Sequence, residues 1–189
     1  ITPYADYEHC RMQIDAVLDK SKRQLIYVYL GELDYASHIH GTGSEAWLES
    51  LRQIDALISS TTNKLVKDTK LLITADHGMT TLSPTLTFDF DSERHLQEGV
   101  AWVAGDVRAR HVYVKGENAN AVLQRWANKL GDNFTVLSRQ QAIAACLFGD
   151  SVSAAYEQRL GDLIVYPNGQ GGIVKSVTEK HPTSWKAHH

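Results

Sequence analysis

The sequence predicts an α/β fold built on a doubly wound sheet. Two apolar, β-rich runs, Gln24–Leu30 and Lys70–Thr74, are typical of buried strands in such a sheet. Each run leads into a turn that carries an Asp and a His, and a helical pattern lies between them. The order strand, polar turn, helix, strand, polar turn indicates helical crossovers. We therefore expect both polar turns at one edge of the sheet, where ligands bind in open α/β folds.

Two amphipathic helices are predicted in the first part of the chain. Apolar residues at near-helical spacing within Asp6–Lys20 indicate the first helix. Ser44 is placed to cap the second helix, whose apolar residues recur at helical spacing to about Ser59. The second helix would connect the two predicted strands.

The second part of the chain mixes strands and helices. Met79–Glu98 is polar and turn-rich, so we expect either a solvated connection or a lid near the site. The elements predicted after it are strands at Gly99–Gly105 and Arg110–Lys115, a helix at Asn118–Leu130, a strand at Phe134–Leu137, a short helix from Ser138 to Leu147, and strands at Leu163–Tyr166 and Gly172–Val177. Asn168-Gly169 between the last two strands predicts a hairpin.

Composition excludes several classes of protein. The chain has 189 residues, which suits one domain or slightly more. Its 43% hydrophobic and 22% charged residues are typical of a globular protein. The net charge of −3 provides no basic field, so we expect no nucleic-acid partner. No apolar run reaches the roughly 18 residues that a membrane span needs.

The two cysteines and the chain ends carry little functional information. Cys10 and Cys146 form no motif, and free thiols are favoured over a disulfide. The chain opens on Ile1 and ends on His188-His189, and we expect further residues on both sides. A tag remnant is the alternative explanation for the final histidines.

Two acid–imidazole pairs are the candidate metal ligands. Asp34 and His38 are four residues apart, which places both on one face of a helical turn. Asp76 and His77 directly follow the second apolar run. Carboxylate and imidazole together suit Zn²⁺ or another transition metal, and four such ligands make one or two metal sites plausible. The alternative, polar residues that merely end two strands, is disfavoured because the same pairing occurs twice.

Other polar residues are weaker candidates. His40 is interpreted as a surface residue or a support for the ligands, and His111 lies in a predicted strand. His181 precedes a proline in a predicted loop. Arg108 and Arg110 could meet a phosphate, but an ion-paired or solvated role is favoured.

These motifs resemble a known family. Ile73–Met79, with Asp34-x-x-x-His38 and Gly41 before it, is similar to the type I phosphodiesterase/nucleotide pyrophosphatase branch of the alkaline phosphatase superfamily. Later segments resemble the bacterial, actinobacterial-type members, and the likeness runs over nearly the whole chain. These segments are Gly105–Tyr113, Leu130–Asp132, Val136–Arg139, Gln141–Ile143, Leu147–Gly149 and Arg159–Asp162.

The resemblance implies a fold and a ligand set. It implies a three-layer α/β/α sandwich with a mostly parallel central sheet, of which residues 1–189 form the C-terminal portion of one catalytic domain. It also implies two divalent metal ions, with zinc expected. Asp34 and His38 with His189, the histidine that precedes a glycine in the family, would bind one metal. Asp76 and His77 would bind the other. An N-terminal segment of the same domain would supply a Thr or Ser nucleophile and one more Asp.

The resemblance also implies an activity. We expect a metal-dependent hydrolase that cleaves phosphodiester or nucleotide pyrophosphate bonds in small-molecule substrates. Two alternatives stay open: another hydrolase of the superfamily, acting on phosphomonoesters, phosphonates or sulfate esters, and an inactive metal-binding module.

Overall fold

The computed structural model describes residues 2–18, 23–65, 68–116, 118–179 and 184–189. The chain divides into two compact units, Ile1–Met79 and Thr80–His189. No helix among the described residues is long and apolar enough to cross a membrane.

The first unit contains three helices, α1 (Tyr7–Leu18), α2 (Glu32–His40) and α3 (Glu45–Thr62). Both amphipathic helices expected from the sequence are confirmed. Ser44 caps α3 because its side chain accepts a hydrogen bond from the Trp47 N–H. A small core joins α1 to α3, with Tyr4, Tyr7, Leu18 and Leu30 packed against buried Cys10, Ile14 and Leu57.

The two strands predicted in this unit are not formed. Gln24–Leu30 and Lys70–Thr74 have no strand partner among the described residues, and most of their apolar side chains are exposed. A strand is stabilised by the hydrogen bonds of a neighbouring strand, which an apolar sequence cannot supply by itself. The expectation of two buried strands is therefore wrong for these residues as the structure describes them.

The second unit is built around a four-stranded sheet. Its strands are β3 (Val100–Asp106), β4 (Ala109–Val114), β5 (Phe134–Ser138) and β6 (Leu163–Pro167), in the order β3-β4-β6-β5. All three pairings in this sheet are antiparallel. The strand pair predicted around Asp106 is confirmed, with Asp106 opposite Ala109.

Capped helices cover this sheet. The helices expected here are confirmed as α5 (Ala119–Leu130), which Asn118 caps, and α6 (Arg139–Ala144), where Ser138 forms a capping box. Trp126 of α5 is fully buried, and its indole N–H donates to the Leu96 carbonyl at 3.0 Å. The core of the unit combines α5, the sheet and the short helix α4 (Arg94–Gln97), and a further short helix, α7, spans Ala154–Glu157.

Two short strand pairs among the described residues correct the remaining expectations. The stretch predicted as a loop at Met79–Glu98 contains β1 (Thr80–Thr81), a 3-10 turn and β2 (Thr87–Asp89), besides α4. β1 pairs antiparallel with β8 (Ala187–His188), and β2 pairs parallel with β7 (Gly172–Val174). The predicted hairpin at Asn168-Gly169 is wrong, since both edges of β6 are already occupied by β4 and β5.

The expectation of a mostly parallel sheet is also wrong for the described residues. Only the β2–β7 pair among them is parallel. Short connections such as the turn between β3 and β4 join antiparallel neighbours, whereas parallel neighbours need long crossovers. The two segments expected to be parallel strands, 24–30 and 70–74, are those without partners.

Candidate metal and active site

Helix α2 carries the first acid–imidazole pair. Asp34 lies in its first turn, where the helix dipole favours a carboxylate, and His38 lies in its last turn. Asp34 Oδ1 lies 3.5 Å from His38 Nε2, as the four-residue spacing predicted. The helix ends at Gly41, whose φ of 87° favours glycine.

The Asp34 carboxylate has an oxygen suited to a cation. Oδ1 is buried and accepts no hydrogen bond from any described residue, and His38 beside it is buried as well. A buried carboxylate oxygen without a donor is costly, and a bound cation would compensate it. Asp34 and His38 therefore fit a divalent metal in both chemistry and position.

The second pair lies in an irregular segment. Asp76 Oδ1 is 3.7 Å from His77 Nε2, and the Asp76 side chain is exposed. His77 Nδ1 lies 3.0 Å from the Gly78 carbonyl, to which it can donate. In that tautomer Nε2 carries the lone pair, which is the form of imidazole that binds a metal.

His189 follows the last strand of the second unit. Its Nδ1 lies 3.9 Å from Asp106 Oδ2, and Asp106 Oδ1 accepts the Val107 N–H at 2.6 Å. The preceding residue, His188, is buried in β8 with its ring 5.8 Å from that of Trp185. The sequence located the turn at Asp106 but did not indicate that its carboxylate faces a candidate ligand, because the two residues are far apart in the chain.

The predicted ligands do not form one cluster in this structure. Throughout the described ranges, no three His, Cys, Asp or Glu side chains come together in a metal-binding arrangement. Asp34, His38, Asp76 and His77 belong to residues 1–79, and His189 belongs to residues 80–189. The structure thus forms each pair separately, and their union around two metals stays a prediction.

Tyr4, which the sequence analysis did not single out, contacts the start of the helix that carries the Asp34–His38 pair. The Tyr4 hydroxyl lies 3.0 Å from Glu32 Oε2 and 3.1 Å from the Tyr29 carbonyl, so it can donate to either. Burial and the neighbouring Glu32 carboxylate raise the pKa of Tyr4. The contact ties the start of α2 to the extended segment before it, and hence holds the helix that carries Asp34.

Three of the weaker candidates, His111, Arg108 and Arg110, make structural contacts. His40 is exposed, whereas His111 lies in β4 and its Nδ1 accepts the Gly161 N–H at 3.1 Å. The Arg110 guanidinium is buried and pairs with Glu179 at 2.6 Å, and Arg108 donates to two carbonyls of residues 169–171. His181 lies outside the described residues. Cys10 and Cys146 are free thiols.

The fold has close counterparts among solved hydrolases. Murine ectonucleotide pyrophosphatase/phosphodiesterase 5 superposes with a TM-score of 0.69 over 100% of this chain and 50% of its own, at 18% identity. The human protein of that name matches with the same values. Phosphonoacetate hydrolase from Sinorhizobium meliloti has a TM-score of 0.55 over 82% of this chain and 42% of its own, at 14% identity. The α/β, alkaline-phosphatase-like fold class is therefore confirmed.

The sequence comparisons define the family. Residues 4–188 match the family model described as type I phosphodiesterase / nucleotide pyrophosphatase. The chain belongs to that family, within the alkaline phosphatase superfamily. Human ectonucleotide pyrophosphatase/phosphodiesterase family member 7 is 33% identical in an alignment 87 residues long, which covers 42% of this chain and 19% of that protein. The chain spans about half the length of the solved relatives named above.

Proposed function

We propose that the protein hydrolyses phosphodiester or nucleotide pyrophosphate bonds with the help of two divalent metal ions, with zinc expected. The observation that carries this proposal is the Asp34–His38 pair, whose buried carboxylate oxygen lies 3.5 Å from the imidazole. Family membership supplies the reaction class. A complex of an inactive murine ectonucleotide pyrophosphatase/phosphodiesterase 5 variant with AMP supports a nucleotide substrate.

The proposed ligand sets follow the motifs. Asp34, His38 and His189 would hold one metal, and Asp76 and His77 the other. When bound, two such metals lower the pKa of a hydroxyl nucleophile and neutralise the charge on phosphoryl oxygens. The carboxylates of Asp34 and Asp76 offset the positive charge of the ions and orient the site. The nucleophile, a Thr or Ser, and a further Asp would come from another segment of the same catalytic domain, of which residues 1–189 are a portion.

The test uses the full-length native protein with bis(p-nitrophenyl) phosphate and a nucleotide pyrophosphate as substrates. Chelation should abolish hydrolysis, and added zinc should restore it. Asp34→Asn should lower kcat/KM by at least about 100-fold, since changes next to a ligand alone cost 10–100-fold. It should also lower the zinc content measured by mass spectrometry.

A matched control is available in the same unit. Asp55 is exposed on α3, and Asp55→Asn should leave both turnover and zinc content unchanged. Full turnover in Asp34→Asn, or equal effects of the two variants, would contradict the proposal.

A second candidate is phosphonate hydrolysis, which the likeness to phosphonoacetate hydrolase favours. Side-by-side assays of a phosphodiester, a phosphomonoester, a sulfate ester and a phosphonate decide between these classes. A third candidate is a metal-binding module without activity. Stoichiometric zinc with no turnover of any substrate by the full-length protein would support it.

A further inference from the structure

The turn between β3 and β4 carries a carboxylate that neither proposed ligand set includes. Asp106, the last residue of β3, has its Oδ2 at 3.9 Å from Nδ1 of His189, a proposed metal ligand. Its other oxygen, Oδ1, accepts the Val107 N–H at 2.6 Å. One oxygen therefore fixes the carboxylate to the turn, and the other is directed at the imidazole.

Main-chain and arginine contacts hold this turn in place. The Arg110 guanidinium donates to the Gly105 carbonyl at 2.6 Å, and the Val107 carbonyl accepts the Ile173 N–H at 2.9 Å. Gly105 has a φ of 85°, and a Cβ there would come within 2.2 Å of a carbonyl oxygen of β4. The position of Asp106 is thus set by the backbone around it, as the support of a functional side chain requires.

The backbone before His189 is anchored as well. β8 pairs with β1, and both residues of β8 are buried. The Lys186 carbonyl accepts the Leu82 N–H at 2.9 Å, which extends the contact between these two segments. Both side chains of the 3.9 Å contact therefore extend from anchored segments of the second unit.

The chemistry of imidazole ligands gives this contact a role. A histidine that binds a metal through one ring nitrogen normally directs the N–H of the other at an oxygen. A carboxylate beside Nδ1 favours the tautomer in which Nδ1 carries the proton and Nε2 the lone pair. We propose that Asp106 is a positioning residue that holds His189 in the tautomer whose Nε2 can bind the metal. The inference rests on the proposed function, because His189 is a ligand only within it.

The first test is the zinc affinity of the full-length native protein, measured by competition with a chelator. Asp106→Asn keeps an oxygen for the Val107 N–H, but its amide nitrogen then meets His189 Nδ1 as a donor. That contact favours the tautomer with the proton on Nε2, so zinc affinity should fall by about 10–100-fold. Asp150 is exposed in the same unit, and Asp150→Asn should leave the affinity unchanged.

Asp106→Ala separates positioning from a purely structural role. It removes both contacts of the carboxylate without adding a donor, so it should lower Tm more than Asp106→Asn but lower zinc affinity less. A carboxylate that only stabilises the turn would make Asp106→Ala the more damaging variant in both measurements. That order, or unchanged zinc affinity in Asp106→Asn, would overturn the inference.

The second test observes the tautomer in the metal-free protein by nitrogen NMR at about pH 8, where an ordinary histidine is neutral. The His189 signal, assigned by its loss in His189→Gln, should report the proton on Nδ1 in the wild type and on Nε2 in Asp106→Asn. The same tautomer in both proteins would contradict the proposal.

A double variant distinguishes this inference from the proposed function. A protein with both Asp106→Asn and His189→Gln should lose no more zinc affinity than His189→Gln alone, because Asp106 acts through the ring. Additive losses would show that Asp106 acts independently and would overturn the inference. Coupled losses in a protein that hydrolyses none of the four substrate classes would uphold the positioning role and reject the activity. Zinc-dependent hydrolysis with unchanged affinity in Asp106→Asn would do the reverse.

Discussion

Strand β6 of the second unit and the run Leu25–Leu30 of the first are both apolar, but the strand is buried and the run is exposed. Both are short apolar stretches rich in β-formers. Leu163, Ile164 and Val165 of β6 are almost fully buried because β4 and β5 pair with its two edges. Leu25 and Tyr27 are exposed, and their backbone pairs with no described strand. Apolar β-propensity thus specifies an extended backbone, whereas burial depends on the neighbours that the fold supplies.

The largest expected effect comes from a charge placed in the buried strand β6 rather than at an exposed position of the same unit. Val165→Asp would bury an unpaired carboxylate in the middle of the sheet and should lower the free energy of unfolding by at least about 4 kcal/mol. Val177→Asp, at an exposed position, should change it by no more than about 0.5 kcal/mol. Urea denaturation followed by fluorescence measures both. A Val165→Asp protein as stable as Val177→Asp would mean that β6 is not a central strand.

Local features were predictable because their causes are local. The cap at Ser44 was expected from residue type, and its side-chain oxygen accepts the amide N–H three residues ahead, as those of Asn118 and Ser138 also do. The one-face geometry of Asp34 and His38 follows likewise from helix periodicity.

Features that depend on distant residues were not predictable. The hairpin expected at Asn168-Gly169 fails because Asn168 instead donates to the carbonyls of Asp132 and Asn133, while β7 pairs with β2. The Tyr4 hydroxyl that reaches Glu32 was missed for the same reason. No sequence pattern marks contacts that only the folded chain creates.

A buried ion pair provides the next comparison. The Arg110 guanidinium is buried, bonds to the carbonyls of Gly105 and Ile173, and is neutralised by Glu179. Glu179→Gln leaves that charge without a partner and should destabilise the second unit by about 2 kcal/mol, less than for a fully buried pair because Glu179 is partly exposed.

The control for this substitution is an exposed pair in the same unit. Glu98 lies 3.5 Å from Arg125 and is largely exposed, so Glu98→Gln should cost less than about 0.5 kcal/mol. Thermal unfolding of both variants gives the comparison. Equal losses would show that burial of Arg110 does not strengthen its pairing.

In the first unit the Tyr4 hydroxyl provides the polar contact to be compared with the Arg110–Glu179 pair. Tyr4→Phe removes the contact to Glu32 and to the Tyr29 carbonyl and should cost about 1 kcal/mol. We also expect faster hydrogen exchange in Leu25–Leu30, whereas β6 should be unaffected. Tyr7→Phe, which removes the contact to Ser50 Oγ at 3.1 Å, is the matched control and should leave exchange of that run unchanged. Identical exchange in both variants would show that Tyr4 does not hold the run.

The smallest expected effect is the pH dependence of folding stability that His111, in strand β4 of the second unit, contributes. Burial lowers the pKa of His111, so the folded protein binds fewer protons there than the unfolded chain, whose histidine titrates near about 6.5. Stability should therefore fall as the pH drops below about 6.5, by less than about 1 kcal/mol at pH 5, because the half-buried ring is screened by solvent.

His111→Asn tests this assignment, because the amide oxygen of Asn can accept the Gly161 N–H as Nδ1 does, without titrating in this range. Between pH 7 and pH 5 the free energy of unfolding of the variant should fall less than that of the wild type, by the amount that His111 contributes. Urea denaturation at both pH values measures this difference. An unchanged slope would assign the acid sensitivity to other groups.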